Sequence, residues 1–202
     1  MASKTYADFR SEVEANLQDK ADELDDADKN VFIRRAVEEI YSKHRPKETI
    51  SDVTGSGVYS FDMPSTWVKG FSTIRQIEYP ANDQTPTIMD ERDYTIIEST
   101  SKQQIRFLAD TPDSSDTIRF TTTAPYLFSS NAVTIPSTDF GAVCSLATSL
   151  CLTAIANRMA FKYDPTLSAD SSGRPDQAFR DQAKTYMKEY LRHMGLPEDG
   201  TV

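Results

Sequence analysis

The stretch FGAVCSLATSLCLTAIAN, residues 140–157, decides the fold. No charged residue interrupts it, and Phe140, Val143, Cys144, Ala147, Leu150, Cys151, Ala154 and Ile155 cover much of a helix's circumference. A helix apolar nearly all round has to be enclosed by other helices. Its alanines suit close packing. Its hydroxyls (Ser145, Thr148, Ser149, Thr153) dilute the run, so we expect a core helix and not a membrane span. Thr138 or Asp139 stands where the N-cap belongs.

The helices that enclose it must come from the two ends of the chain. Thr5 followed by Asp8 reads as a cap with an acid in the first turn, and Tyr6, Phe9, Val13 and Leu17 then form one apolar stripe. An acidic turn from Asp19 to Asp28 leads into a second helix, about Asp28 to Lys43, with Ile33, Ala36, Val37, Ile40 and Tyr41 inside. Pro46 stops it. After a polar loop, Tyr163 to Arg174, the last helix has Pro175 in its first turn. Its inner positions are Phe179, Ala183, Tyr186, Met187, Tyr190 and Met194, and Gly195 closes it.

Between these pairs the period changes. Val58 to Ser60, Ile74 to Glu78, Thr95 to Glu98, Ile105 to Leu108, Thr117 to Thr123 and Val133 to Ile135 read as short strands. Turn signals at Thr54–Gly57, Pro80–Asp83, Ser99–Ser101 and Thr111–Asp113 separate them. The expected class is α+β: a four-helix body from the N- and C-terminal helix pairs, residues 1–47 and 137–197, with a small antiparallel sheet or open barrel, 48–136, inserted between them. Residues 198–202 are expected to be a flexible tail.

Of 202 residues, 22 are basic and 31 acidic, a net charge of −9. That balance argues against a protein whose task is to grip nucleic acid, although an acidic surface suits letting DNA pass. MASKTYADFRSEVE has no apolar run, so no signal peptide is expected. Cys144 and Cys151, about 10 Å apart along one helix, are too distant to bond and fit a reducing cytoplasm.

No constellation reads as an active site. Asp26, Asp28 and Asn30 have the opening spacing of a calcium loop, but Val31 and Val37 stand where its glycine and glutamate belong; a capping turn is the better reading. Gly55 and Gly57 lack the third glycine and the helix of a phosphate cradle, leaving a hairpin turn. His44 and His193 sit at helix C-termini, where positive charge is favoured. Lys43, Arg45 and Lys47, with His44, form the one dense basic cluster, a candidate contact for DNA or an acidic partner. Phe61, Pro64, Trp67 and Phe71 read as a loop pinned by its aromatics, with sugar stacking as the rival. No metal, cofactor or catalytic residue is expected.

Several segments together resemble the head–tail adaptor proteins of tailed phages. Arg34–Tyr41 with Arg45-Pro46 resembles their second helix. Phe71–Ala81 with Asp93-Tyr94 resembles the inserted sheet of one branch. Ile135-Pro136, Asp139–Val143, Ala156–Arg158 and Ser168–Ser171 resemble the third helix and its loop, and Ala183–Tyr186 with Tyr190–Leu196 the last helix. The resemblance spans residues 5–196 and rests on the order of weak motifs. It implies a structural virion protein: a ring, usually twelvefold, beneath the portal that extends the DNA channel and carries the next neck or tail protein. It also implies assembly in the host cytoplasm, residence in the virion neck, no membrane contact, and no catalytic residues. Tyr190, Leu191, Met194, Leu196 and Val202 are the candidate portal contacts. Alternatives are another neck or tail-end position, such as a stopper or tail terminator, and a carbohydrate- or peptide-binding module.

Overall fold

The computed structural model describes residues 1–81, 85, 87–98, 102–109, 111–162 and 175–198. The expected loop 163–174, part of the turn signals at Pro80–Asp83 and Ser99–Ser101, and the tail residues 199–202 lie outside the described residues. The class is mixed α+β, and among the described residues the antiparallel sheets are open and close no barrel. The chain divides into two units: residues 1–44 with 126–202, and residues 45–125.

In the first unit a strand precedes the first helix. β1 (Ala2–Thr5) pairs antiparallel with β8 (Ala132–Ile135), Ala2 facing Ile135 and Thr5 facing Ala132. The pairing is held at one end by a turn with Ser130 and Asn131 at positive φ, the geometry that favours a tight hairpin. β8 was expected inside the insert; it belongs with the helices because its partner strand is the N-terminus. Thr5 then caps α1 (Tyr6–Leu17) in a reciprocal box with Asp8, whose carboxylate accepts the Thr5 N–H at 2.7 Å. Those bonds hold the Asp8 carboxyl below its ordinary range. Tyr6, Phe9, Val13 and Leu17 are buried, as their spacing requires.

A 3-10 stretch, Gln18–Glu23, turns the chain into α2 (Asp26–Arg34), capped by Asp25. The helix expected to run unbroken to Lys43 instead widens into a π-helical segment, Arg35–Tyr41, before a last turn, α3 (Ser42–His44). Ser42 explains the widening in part. Its N–H and its hydroxyl both go to Val37 O, five residues back, while the same hydroxyl accepts the Tyr126 N–H at 2.8 Å.

α4 (Phe140–Lys162) and α5 (Pro175–Met194) complete the unit. Val143, Cys144, Leu146, Ala147, Cys151, Leu152, Ile155 and Ala156 are all at most 1% exposed. Two of the four hydroxyls turn inward, each with a partner: Thr148 donates to Cys144 O, and Ser149 donates across to Ala183 O on α5, both at 2.8 Å. One expectation needs correction here. The hydroxyls do not dilute α4 below membrane-spanning character, since Phe140–Ala160 is long and apolar enough to cross a membrane by length and composition. Its burial among α1, α2 and α5 residues in one core marks it as a core helix.

The second unit holds two three-stranded antiparallel sheets. β2 (Lys47–Thr54), β7 (Thr117–Ala124) and β4 (Ile74–Glu78) form one in the order β2-β7-β4; β3 (Ser60–Asp62), β6 (Gln103–Phe107) and β5 (Tyr94–Glu98) form the other, β3-β6-β5. Phe61, Ile77, Ile105, Phe107, Ile118 and Phe120 are its core. On the outer face Arg119 of the central strand forms a two-pronged bond to Asp52, at 2.8 and 3.0 Å.

The Gly55–Gly57 turn is structural. Gly55 and Gly57 donate to Asp116 O and Pro112 O, and Gly57 has φ of +69°. A Cβ on Gly55 would lie 2.0 Å from Asp113 O. Gly55→Ala should therefore push apart the β2–β7 end, at a cost of about 2 kcal/mol. Denaturant unfolding of the variant checks this, and an unchanged midpoint would refute the close packing.

Candidate functional site

The candidate residues fall into three places. Tyr190 and Leu191 are 0% and 7% exposed. They belong to the core of the helical unit, with Met194 and Leu196 half-buried against it. As portal contacts, Tyr190 and Leu191 need correcting: the last helix turns this stripe inward, onto α4. Val202 lies outside the described residues. Lys43 is exposed on α3, Arg45 is exposed, and Lys47 opens β2 half-buried.

The two histidines join a buried polar linkage that spacing could not reveal. Asp139 is 0% exposed and stands at the start of α4. Its Oδ2 accepts the Tyr41 hydroxyl at 2.6 Å, and Oδ1 lies 3.1 Å from His193 Nε2 and 3.2 Å from the Thr138 hydroxyl. His44 Nδ1 meets the Tyr190 hydroxyl at 2.7 Å. Burial, and then Lys43, push His44 below its ordinary range, while burial and then the Asp139 charge push the Tyr190 phenol up. A catalytic dyad would need an open face for substrate. This linkage has Asp139 sealed in the core, so it ties the end of the π-helical segment to α4 and α5. Both histidines stand at helix ends, as expected, but their partners, Tyr190 for His44 and Asp139 for His193, need the fold.

Asp26 and Asp28, taken as a capping turn, are engaged by arginines: Asp26 by Arg10, and Asp28 by Arg158 at 2.6 Å. Among the described residues no group of three His, Cys, Asp or Glu side chains is placed to hold a metal ion. Burial pushes both thiols up to about 12. Neither forms a thiolate near neutral pH. A thiol reagent such as dithiobis-nitrobenzoate should therefore titrate neither cysteine in the folded chain and both in urea; fast reaction of the native protein would contradict their burial.

Trp67 lines a cleft of about 350 Å³ with Asp62, Met63, Pro64, Lys69 and Gln103. Its indole N–H is spent on Gln103 Oε1 at 2.8 Å, and Asp62 is held by Lys102 and Gln104. Phe61 and Pro64 are buried. Trp67, Asp62 and Lys102 of this cleft are thus already partnered, and the segment is anchored by Phe61 in the core of its unit and by the Trp67–Gln103 bond. A larger cleft of about 760 Å³ opens between α1 and α2 in the helical unit.

Solved structures similar to this chain include three from gene transfer agent particles. One is the neck of an empty particle, 14% identical, covering 91% of this chain and 95% of that one, with a TM-score of 0.34. Another is the virion of the native particle, at 14% identity, 90% and 94% coverage and a TM-score of 0.32. The third is the neck of the native particle, at 15%, 91% and 94%, and 0.31. Superposition this loose carries no argument about fold or role. No protein-family model matches the chain, and no curated protein matches it.

Proposed function

We propose that this chain is a structural protein of the neck of a tailed phage or phage-like particle, a head–tail adaptor that forms a ring beneath the portal. The observation that carries the reading is the order of the adaptor-like segments along residues 5–196: a helix pair, an antiparallel insert, and a second helix pair. Support comes from the division of the chain, in which one unit collects both terminal segments and the other is a continuous stretch, residues 45–125. Such a chain offers two kinds of lateral surface for head-to-tail contacts that close. With a net charge of −9, a ring of these subunits presents DNA with few anchoring cations, which suits passage rather than grip. The portal and the next neck or tail protein are the partners this reading requires, the ring being a dodecamer in the adaptor pattern. No catalytic role is part of it.

The test is deletion of the gene in its phage or element, followed by protein mass spectrometry and electron microscopy of the particles. The expected result is DNA-filled heads without tails, rescued by the chain in trans. Normal tailed particles after deletion, or absence of the chain from wild-type particles, would contradict the proposal.

A further inference from the structure

The helical hairpin of α1 and α2 carries Arg34 and Arg35 at one end and the carboxylates of Asp19, Asp22 and Glu23 at the other. Arg34 reaches Tyr6 at 2.9 Å at one end, and Lys29 reaches Glu14 at 2.6 Å toward the other, so the helices run antiparallel. At the open end, Tyr6 and Arg10 of α1 face Asn30, Val31, Arg34 and Arg35 across the 760 Å³ cleft. These last four lie at one-, three- and four-residue steps, the outward stripe of α2 continued into the π-helical segment. Three arginines line the cleft against one glutamate, Glu39, on a chain that is strongly acidic overall. Asp26 engages Arg10, Glu38 and Glu39 lie 3.9 and 3.5 Å from Arg34 and Arg35, and both latter arginines stay more than half exposed.

Two buried polar atoms belong to residues that line the cleft. Arg10 Nε is buried with no hydrogen-bond partner, and so is Asn30 Oδ1. Val31 beside them is 62% exposed, an apolar anchor without a cover.

The closed end of the same hairpin has the complement. Asp19, Asp22 and Glu23 on the 3-10 stretch are exposed and, among the described residues, take part in no side-chain ion pair; Lys20 is the one basic side chain between them. The twelve residues of α1 separate this acidic turn from Arg34 and Arg35, beside Tyr6, by about 18 Å. We infer that the cleft seats the acidic turn of a second copy of this chain. The contact is head-to-tail: each copy gives its turn to one neighbour and its cleft to the other, the arrangement that closes a ring. It deepens the ring reading above and rests on it for closure.

The test is sedimentation velocity of the full chain in a concentration series at low and high salt. The wild type is expected to associate as concentration rises and to dissociate in salt. Arg34→Glu with Arg35→Glu, and separately Asp19→Lys with Asp22→Lys and Glu23→Lys, should each weaken association by roughly tenfold or more, with circular dichroism unchanged. Mixing the two variants should restore it, because each altered end then meets its complement in the other. A wild type monomeric throughout, a single variant that associates like wild type, or a mixture that stays apart would overturn the inference. A particle ring whose copies touch elsewhere would overturn this contact and leave the neck reading standing. Restored pairing by a chain missing from particles would do the reverse.

Discussion

Phe9→Ala is expected to destabilise the helical unit by about 3–5 kcal/mol. Phe9 is 0% exposed, and its ring lies 5.8 Å from Phe128, edge-on, and 5.0 Å from Phe140. These three rings bring together the first helix, the segment returning from the insert, and the first turn of the core helix. Truncation removes the aromatic contacts and leaves a cavity that rigid helices on every side cannot fill by collapsing. Urea unfolding followed by circular dichroism checks the prediction, through a shifted midpoint at unchanged slope. A loss below about 1 kcal/mol would mean that the terminal helices do not share one core.

Asp139→Ala is expected to cost about 3 kcal/mol, by a different route. The substitution creates little cavity but removes the acceptor 2.6 Å from the Tyr41 hydroxyl, on a residue 0% exposed, and the partner of His193. A buried hydroxyl that loses a hydrogen bond to a carboxylate loses more than a neutral bond is worth. Asp139→Asn keeps one carbonyl oxygen and should lose about half as much. The paired variant Asp139→Ala with Tyr41→Phe separates the two contributions: removing the hydroxyl that lost this acceptor should return part of the stability. Equal losses in the single and double variants would show that the Tyr41–Asp139 bond carries no energy.

The helical half of this fold was readable because burial and period agree there. Tyr6, Phe9, Val13 and Leu17 fall on one face of α1, and the uncharged run from Phe140 to Asn157 has no stable home except among helices. Two things in that half escaped. β1 is four residues, Ala-Ser-Lys-Thr, with no strand pattern of its own; it exists because β8 offers an edge. The π-helical segment escaped because its sequence keeps a helical stripe, and the widening depends on Ser42 reaching Val37 and Tyr126 together.

The sheet half was less legible. β2, eight residues long, was missed: Lys-Glu-Thr-Ile-Ser-Asp-Val-Thr alternates half-buried and exposed positions, but its inward residues are Thr49, Ser51 and Val53 rather than large apolar ones. Thr49 succeeds there through its hydroxyl, 3.1 Å from that of Thr122 on the neighbouring strand. The candidate surface was misplaced for a related reason. Tyr190 and Leu191 look like an apolar end available to a partner, and only the packing of α5 on α4 turns them inward. The α2 stripe with Asn30, Val31, Arg34 and Arg35 passed as ordinary helix exterior, since unmet buried atoms leave no mark in sequence.

The most direct test of the central claim is electron cryomicroscopy of purified particles, reconstructed about the portal axis. Density for this chain should form a closed ring of repeated copies directly beneath the portal, with the channel running through it. A neck whose density is fully explained by other chains, with this one elsewhere or missing, would contradict it.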